Sequence, residues 1–460
     1  MLNRAKPYIE VQKIVNCISS VDLSDDTYVR IFEKKFSKYI NARLSIAVNQ
    51  GRSALLLALK ILKVTKGDEV IVQSLICQVV IDAILEVGAT PILVDNLIED
   101  YNISPSQIRK KITPKTKVII ATHLYGVPCN IEEISTIARE NNCYLIEDCA
   151  HSLGAKYAGK KVGTFGDLSF FSFNFDKPLS TGDGGMLVIN NKHLIEEAKS
   201  IINKYKRVPL ADDKKIIYGL LVQHLLTQKE VYKNELSIDF GKKLLKKDQD
   251  IFNIMDGLIK TKSSEQEIQN AVLTYLKNKK ILSNKNPILL TNMFLRGLGL
   301  LKSRLIMPKT NKVESEYLLM NSARSLVGII GLESLDYVNS IRNKNAELFA
   351  NYLKNNDAYI LPVIDEKKSP TFLRYTILNN TKYPLSHITK EAKTRGFELG
   401  NYNWPKPIHL IYPYSKILSY NRKNLKISEY LADYLINLPI HYYVDDYDIT
   451  EIVKVLNNFK

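Results

Sequence analysis

The chain has 460 residues, of which 45% are apolar and 24% charged, and its formal net charge is +16. This composition excludes a disordered chain, and no apolar run approaches the ~20 residues that span a bilayer. The length suits two or three domains. The positive charge fits nucleic acid, an anionic membrane surface, an anionic small substrate, or simply lysines spread over solvated helices. No basic tract interleaved with aromatic residues favours nucleic acid.

The first residues, MLNRAKPYIEVQKI, lack the continuous apolar segment of a signal peptide, so we expect a cytoplasmic protein. The five cysteines are Cys17, Cys77, Cys129, Cys143 and Cys149. Their number is odd and none forms a CxxC pair. This spacing predicts reduced thiols rather than a disulfide scaffold, a zinc site or an iron–sulfur cluster.

Between about residues 29 and 200, amphipathic helical patterns alternate with short apolar strand patterns. The strand patterns, in chain order, are SIAVN, DEVIVQS, TPILVDN, KVIIATHL, CYLIED, LSFFSFN and MLVIN, and helical patterns such as FEKKFSKYI and RSALLLALKIL accompany them. This alternation predicts an α/β fold, with a mostly parallel sheet of the seven-stranded type and helices on both faces. Ligands of such sheets bind at the carboxyl ends of the strands.

Residues 205–312 have few glycines and many lysines, leucines and isoleucines, which predicts a mainly helical insertion. Residues 313–460 predict a long interdomain helix followed by a small α+β domain, which leaves 1–204 as the large domain. The insertion contains NMFLRGLGLLKSRL, a basic amphipathic stretch. Such a stretch suits a membrane surface or a partner, but packing within the protein is the reading we favour.

Two carboxylates end the apolar segment CYLIEDCAH. Because a buried carboxylate is costly unless it is paired, Asp148 predicts a cationic partner. A protonated pyridine nitrogen is such a partner, and a carboxylate beside it keeps the ring an electron sink. Alone, the carboxylate pair is more typical of a helix N-cap or a surface site.

A lysine, Lys177, follows the buried segment FFSFNFD and precedes a glycine-rich turn. We expect desolvation at this place to favour the neutral amine that Schiff-base chemistry requires. The glycines let the backbone turn tightly beneath a ligand. Alone, the pattern is more typical of a lysine that extends from a strand end into water.

The segment VNQGRSALLLALK places a glycine and small residues where a strand passes into a helix. Free N–H groups and the helix dipole make such a turn a natural phosphate site. Arg52 would add a charge there and Ser53 a hydroxyl. Many strand-to-helix turns look alike, so the inference depends on the three features occurring together.

These segments, with GATPILVD, ATHLYGVPCNIEEI and the late INLPIHYYVDDYDI, resemble the DegT/DnrJ/EryC1/StrS family. The similarity covers roughly residues 28–200 and 317–457 and is most specific over 147–190. The resemblance implies a fold-type I, aspartate-aminotransferase-like enzyme that uses pyridoxal 5′-phosphate (PLP).

The resemblance also assigns roles to individual residues. Lys177 corresponds to the family's Schiff-base lysine, because it follows Ser172 and precedes the Gly-Asp-Gly-Gly turn at 182–185. Asp148 corresponds to the aspartate that binds the pyridine nitrogen. Ser172 corresponds to a hydroxyl that binds the cofactor's phosphate.

Five further positions take part in the expected cofactor site. His151 stands where the family usually has a glutamine beside the phenolic oxygen of PLP. The phosphate-binding turn corresponds to Gly51, Arg52 and Ser53. Cys77 stands about where the family often stacks an aromatic residue on the ring, so that contact is expected to differ.

Other departures concern the neighbouring subunit and the histidines. The family's Asn-Tyr-Arg segment, which reaches the phosphate of a neighbouring subunit, is not recognisable before Met320. Arg52 is a candidate to compensate. The insertion has no counterpart in the family. We expect His123 and His441 to be structural.

The sequence thus predicts a homodimeric aminotransferase that aminates a keto-sugar, nucleotide-linked, with an amino acid donor such as glutamate. Lys177 would also move the proton during the reaction. Relatives that remove a sugar hydroxyl replace this lysine with histidine, so the lysine favours transamination over a dehydratase-like activity. Two alternatives remain: a PLP-binding regulatory protein without turnover, and a binding module without PLP that docks through the insertion.

Overall fold

The computed structural model describes residues 5–228, 248–279, 317–401, 405–418 and 423–459, together with Leu2, Leu244, Leu245 and Tyr420. The basic stretch NMFLRGLGLLKSRL of the predicted insertion therefore lies outside the described residues. Among the helices of the described ranges, none is both long enough and apolar enough to cross a bilayer.

The described strands, numbered in chain order, are β1 (Leu44–Val48), β2 (Glu69–Gln73), β3 (Thr90–Val94), β4 (Thr116–Thr122), β5 (Tyr144–Asp148), β6 (Lys156–Tyr157), β7 (Lys160–Lys161), β8 (Leu168–Ser172), β9 (Gly185–Ile189), β10 (Lys206–Arg207), β11 (Tyr317–Leu319), β12 (Tyr359–Ile360), β13 (Lys368–Ser369), β14 (Tyr375–Asn379) and β15 (Leu435–Leu438). The central ones coincide with the predicted apolar segments.

The described α-helices are α1 (Val11–Ser20), α2 (Thr27–Ile40), α3 (Gly51–Ile61), α4 (Gln78–Glu86), α5 (Pro105–Lys111), α6 (Ile131–Glu140), α7 (Ile195–Ile202), α8 (Leu210–Leu226), α9 (Gln249–Lys260), α10 (Glu265–Asn278), α11 (Ser322–Leu353), α12 (Leu385–Thr394), α13 (Tyr414–Ile417), α14 (Lys426–Tyr434) and α15 (Asp446–Asn457). Short 3₁₀ turns occur at Leu124–Gly126, Lys192–Leu194 and Ile408–Leu410.

Within the described residues the large sheet has nine strands, in the order β10-β11-β1-β9-β8-β5-β4-β2-β3. The run from β3 to β8 is parallel, whereas β9 pairs antiparallel with both β8 and β1. The predicted α/β fold with a mostly parallel sheet is therefore confirmed. Two short strands, β10 and β11, extend the expected seven strands at one edge. Both strands lie beyond the domain boundary predicted at residue 204. Strand β11, which follows the predicted insertion, pairs with β1, and β10, at the start of that insertion, pairs with β11.

Helices cover both faces of the sheet because each presents one apolar side to it. In α2, buried Val29, Phe32, Phe36 and Ile40 recur at helical spacing and pack beneath β1, β8 and β9. Full burial of each such side chain contributes roughly 1.5–3 kcal/mol. On the opposite face α3 is buried along almost its whole length against β8 and β9, together with α4. This packing fixes the amino end of α3 at the sheet's edge.

The described helices α8, α9 and α10 pack with α1 and α11 in one separate apolar cluster. This observation agrees with a mainly helical character for the described part of 205–312. The C-terminal region contains the antiparallel sheet β12-β14-β15, covered by α12 and α15. The division of the chain into a large domain, an insertion and a small α+β domain stays a prediction. The boundaries at 204 and 312 themselves stay predictions.

Candidate active site

A cavity of about 640 Å³ lies at the carboxyl ends of the parallel strands, where α/β proteins place their ligands. Its volume is that of an ordinary small-molecule site. Its lining consists of Gln50, Gly51, Arg52, Leu55, Ile76, Cys77, Val79, Val80, Thr122, Leu124, Asp148, Ala150, His151, Phe170, Ser172, Asn174, Asp176, Lys177 and Asp183. The fold thus brings together all the site residues expected from the sequence except Ser53.

Lys177 follows β8 in a loop and is buried, with 8% of its surface exposed. Its Nζ atom lies 3.4 Å from an oxygen of Asp176, which is also buried. The two side chains therefore form a buried ion pair. Asp176 in turn lies 3.4 Å from the guanidinium of Arg374, which reaches it from the small domain just before β14.

Asp176 therefore lies between two buried cations. Burial by itself raises the pKa of this carboxyl, but Lys177 and Arg374 outweigh burial and hold the pKa at about 2. Arg342, also buried, lies close enough to the cluster that burial and the charge of Arg374 lower its pKa to about 10. Cations are thus in excess around the lysine.

This carboxylate should make stability depend on pH. Its folded-state pKa of about 2 is below the ordinary 3.8, so its contribution is present above the ordinary pKa and is lost as the pH falls toward 2. We expect the native protein to exceed Asp176→Asn by ~2 kcal/mol in free energy of unfolding at pH 7. Urea unfolding from pH 7 down to pH 3 should show this difference shrinking. A difference that stayed constant would contradict the assignment.

Asp148 ends the central strand β5, which pairs with a strand on each side. One carboxylate oxygen accepts a hydrogen bond from the backbone N–H of Ala150 (3.1 Å) and the other from the hydroxyl of Thr122 (3.4 Å). Burial raises the pKa of Asp148, although these hydrogen bonds and the charge of Lys177 partly oppose the shift. A cationic ligand group in the cavity would therefore stabilise its ionised form.

His151 lies on the cavity wall as a neutral imidazole. Burial, with smaller effects from Lys177 and Arg374, places its pKa well below the ordinary value. Its Nδ1 atom accepts a hydrogen bond from the backbone N–H of Tyr125 (3.3 Å), so the ring proton is on Nε2. The side chain is thereby a hydrogen-bond donor through Nε2, as required beside a phenolic oxygen.

The amino end of α3 lies at a corner of the cavity whose hydrogen-bond donors would suit an anion, and we call it the anion-binding corner. The residue preceding the helix, Gln50, makes no side-chain cap, and its amide instead donates to Asp183 across the cavity edge (3.0 Å). The Nε atom of Arg52 is buried and has no hydrogen-bond partner in the described residues. N–H groups at a helix start attract phosphate, and a guanidinium adds charge.

Small residues keep this corner open. A Cβ atom on Gly51 would lie 3.0 Å from the Cβ atom of Ser172, whose side chain also lines the corner. A Cβ atom on Gly185 would lie only 2.8 Å from the backbone of Gly51. The close approach of β8, β9 and α3 thus requires glycine at 185 and leaves space for a ligand above it.

Ser53 differs from the expectation of a phosphate contact. Its side chain is fully buried and its hydroxyl donates to Oδ1 of Asn49 (2.5 Å), away from the cavity lining. One helical turn separates these two residues, so the hydroxyl bridges the helix start to the preceding strand. We therefore omit Ser53 from the candidate site.

Glu147 and His123 have structural surroundings. The carboxylate of Glu147 accepts the backbone N–H groups of Gly163, Phe165 and Gly166 at 2.6–2.7 Å. His123 contacts the same carboxylate at 3.2 Å through Nε2, and its Nδ1 accepts from the backbone of Cys129. Although His123, Glu147 and Cys149 lie close enough to hold a metal, these hydrogen bonds already occupy the first two.

His441 is buried and contacts the backbone and ring of Tyr443 rather than the cavity. This position fits the structural role expected for it. Cys77 immediately precedes α4 and presents its thiol to the cavity wall, where the resemblance leads one to expect an aromatic ring. Among the described lining residues, Phe170 is the phenylalanine that contacts the cavity.

Sequence reasoning missed the charged partners of the lysine. Asp176 directly precedes Lys177 and was a visible signal, since a carboxylate there is unusual at the end of an apolar segment. Arg374 is 198 residues away from Asp176. No local pattern pointed to it, because its contact depends on how the small domain packs on the large one.

Comparison with known proteins gives this geometry a context. The model of the DegT/DnrJ/EryC1/StrS aminotransferase family matches residues 8–216 and 302–457, which is well over half of the chain. The chain belongs to this family. The unmatched residues between these two parts, 217–301, lie inside the predicted insertion.

Individual relatives match about two fifths of the chain. GDP-perosamine synthase of Escherichia coli O157:H7 is 45% identical over 188 residues, covering 41% of this chain and 52% of that protein. The dTDP-3-amino-3,6-dideoxy-alpha-D-galactopyranose transaminase of Aneurinibacillus thermoaerophilus is 44% identical over 174 residues, covering 38% and 48%. The similarity thus spans about half the length of these curated relatives.

The fold agrees over the whole chain with an aminotransferase of Psychrobacter cryohalolentis. That structure superimposes with a TM-score of 0.71 and 18% identity, and the match covers 100% of this chain and 98% of that one. At this identity the likeness establishes a shared fold. The family expectation from the sequence is therefore confirmed at the level of family and fold.

Proposed function

We propose that this protein is a PLP-dependent aminotransferase that transfers an amino group from an amino acid such as glutamate to a nucleotide-linked keto-sugar. The observation that carries the proposal is the meeting of Lys177, Asp148 and the anion-binding corner in one cavity. A primary amine, a buried carboxylate and a phosphate seat are the three groups that this cofactor requires.

The residues present fit PLP. Lys177 would bind the aldehyde carbon, Asp148 the pyridine nitrogen, and His151 the phenolic oxygen through Nε2–H. Gly51, Arg52 and Ser172 would hold the phosphate. The phosphate of such a ligand would give the buried Nε atom of Arg52 a hydrogen-bond partner. Its ring nitrogen would give Asp148, whose pKa is raised by burial, a cationic partner.

PLP, when bound, supplies an electron sink for the substrate's α-carbon. The chain's own groups would do the remaining work. Asp148 would keep the ring nitrogen protonated, and the amine of Lys177 would accept the proton from the donor's α-carbon. Asp176, itself bound by Arg374, would hold the lysine in the cavity.

The substrate class comes from the relatives, whose names specify nucleotide-linked amino sugars. A substrate carrying a diphosphate would also match the positive charge of the chain. We further propose a cytoplasmic homodimer and assign no nucleic-acid partner. A membrane contact through the insertion is not part of the proposal.

The test begins with the purified protein and PLP. Absorbance should show the bound cofactor, glutamate should convert its spectrum to that of the aminated cofactor, and a keto-sugar nucleotide should restore it with release of an amino sugar. A panel of keto-sugar nucleotides identifies the substrate by mass spectrometry. Conversion by glutamate without restoration by any sugar would contradict the sugar substrate, and no conversion would favour a regulatory protein without turnover.

A further inference from the structure

Helix α8, which begins the predicted insertion, packs directly on the glycine turn that follows Lys177. Gly182 has φ +83°, and a Cβ atom there would lie 2.9 Å from the carbonyl oxygen of Ile216 and 3.2 Å from the side chain of Leu220. The turn therefore approaches the helix as closely as two backbones can. Helix α8 thus packs on the turn that carries Asp183, a residue that lines the cavity.

A buried ion pair connects the same helix to α11. Both oxygens of Asp213 bind Arg324: one accepts the guanidinium Nε–H and the other accepts the backbone N–H (2.8 Å). Both side chains are fully buried. Burial of an ion pair is favourable only when further hydrogen bonds satisfy its remaining groups. Of the two terminal nitrogens of Arg324, Nη1 has such hydrogen bonds, whereas Nη2 is buried without a hydrogen-bond partner among the described residues.

The remaining hydrogen bonds of Arg324 lead to the anion-binding corner. One terminal nitrogen, Nη1, donates to the carbonyl of Asn49 (2.9 Å) and to the carbonyl of Asp183 (3.0 Å). Asn49 immediately precedes Gln50 at the start of α3, and Asp183 lies in the glycine turn and accepts from Gln50. One nitrogen atom thus joins the two backbone segments that form the corner.

We propose that Arg324, held by Asp213, is a positioning residue that fixes the width of the anion-binding corner. This inference rests on the proposed function, because it assigns the corner to the phosphate of PLP. Without the guanidinium, two carbonyls lose their shared donor and repel each other. The helix start and the glycine turn would then separate, and the N–H groups of α3 would no longer converge on one anion.

The test compares PLP with pyridoxal, which lacks the phosphate, by equilibrium binding to the full-length protein. The variant is Arg324→Lys, which keeps the positive charge but cannot reach Asp213 and both carbonyls together. We expect the variant's affinity for PLP to fall about tenfold and its affinity for pyridoxal to change less than about twofold. The loss of one charge-assisted hydrogen bond is enough to change an affinity about tenfold.

Arg207→Lys is the matched control. Arg207 also binds a carboxylate, Asp26, and a backbone carbonyl, that of Met320, but it does not contact the corner. It should leave both affinities unchanged. If Arg324→Lys does not fold, as urea unfolding would show, Asp213→Asn/Arg324→Gln removes the buried charges together and should give the same loss of preference for PLP.

Equal losses for PLP and pyridoxal would overturn the inference, because a purely structural role weakens both ligands alike. Unchanged binding in a folded variant would overturn it as well. If the native protein bound PLP no better than pyridoxal, the proposed function would fail first and this inference with it. The two failures are therefore distinguishable from the behaviour of the native protein.

Discussion

Lys177→Ala is expected to leave a folded protein that cannot hold PLP covalently and whose amination rate is lower by about 10²–10⁴-fold or more. The ε-amine is both the point of attachment and the group that moves the proton. Alanine supplies neither function. The fold should survive because Asp176 keeps its contact with Arg374 after the lysine is removed.

The measurement is reduction of the loaded protein with borohydride, followed by peptide mass spectrometry. In the native protein the cofactor should be found on the peptide that contains Lys177, and in the variant on none. The control is Lys60→Ala in helix α3, where the amine donates to the hydroxyl of Tyr205 outside the cavity. If Lys177→Ala retained the covalent label at the native level, the assignment of Lys177 as the point of attachment would be wrong.

Asp148→Asn should lower the amination rate by about 10²–10³-fold while PLP still binds to Lys177. Asparagine has nearly the same shape, and its single carbonyl oxygen can keep one of the two hydrogen bonds, that from Ala150 or that from Thr122. It carries no negative charge, however, and so cannot keep the ring nitrogen protonated. The variant should therefore lose rate far more than cofactor affinity.

The rate is measured in single turnovers with glutamate, and the affinity by titration with PLP. Glu147→Gln is the adjacent control: its carboxylate organises the loop at 163–166, so this variant should lose stability to urea with a smaller effect on rate. If Asp148→Asn turned over at the native rate, the pairing of Asp148 with the ring nitrogen would be wrong.

Much of the fold was predictable because its central elements have strong local patterns. The apolar segments that became β1, β2, β3, β4, β5, β8 and β9 each read as strands, and the 32-residue helix Ser322–Leu353 reads as one long helix. The short strands were not predictable. Two-residue strands such as β10 and β13 depend on pairing with distant chain rather than on a pattern of their own.

The site divides in the same way. The topology of the sheet brings together residues at the ends of its strands. Asp148 is the last residue of β5, and Lys177 and Gly51 follow β8 and β1. Arg374 and Arg324 were not predictable, because each reaches its partner through the packing of one helix or domain on another. Ser53 is a different case: its spacing suits a phosphate contact, but its hydroxyl donates to Asn49 and the residue is not part of the cavity lining.

The apolar cluster shared by α1, α8, α9, α10 and α11 also includes Phe175, two residues before Lys177. Elements that share one core tend to unfold as one cooperative unit. We therefore expect a ligand bound at the loop that carries Lys177 to stabilise these helices by mass action. No residue of α9 or α10 lines the cavity. Binding of the ligand should then slow amide hydrogen exchange in α9 and α10, although these helices lie away from the cavity.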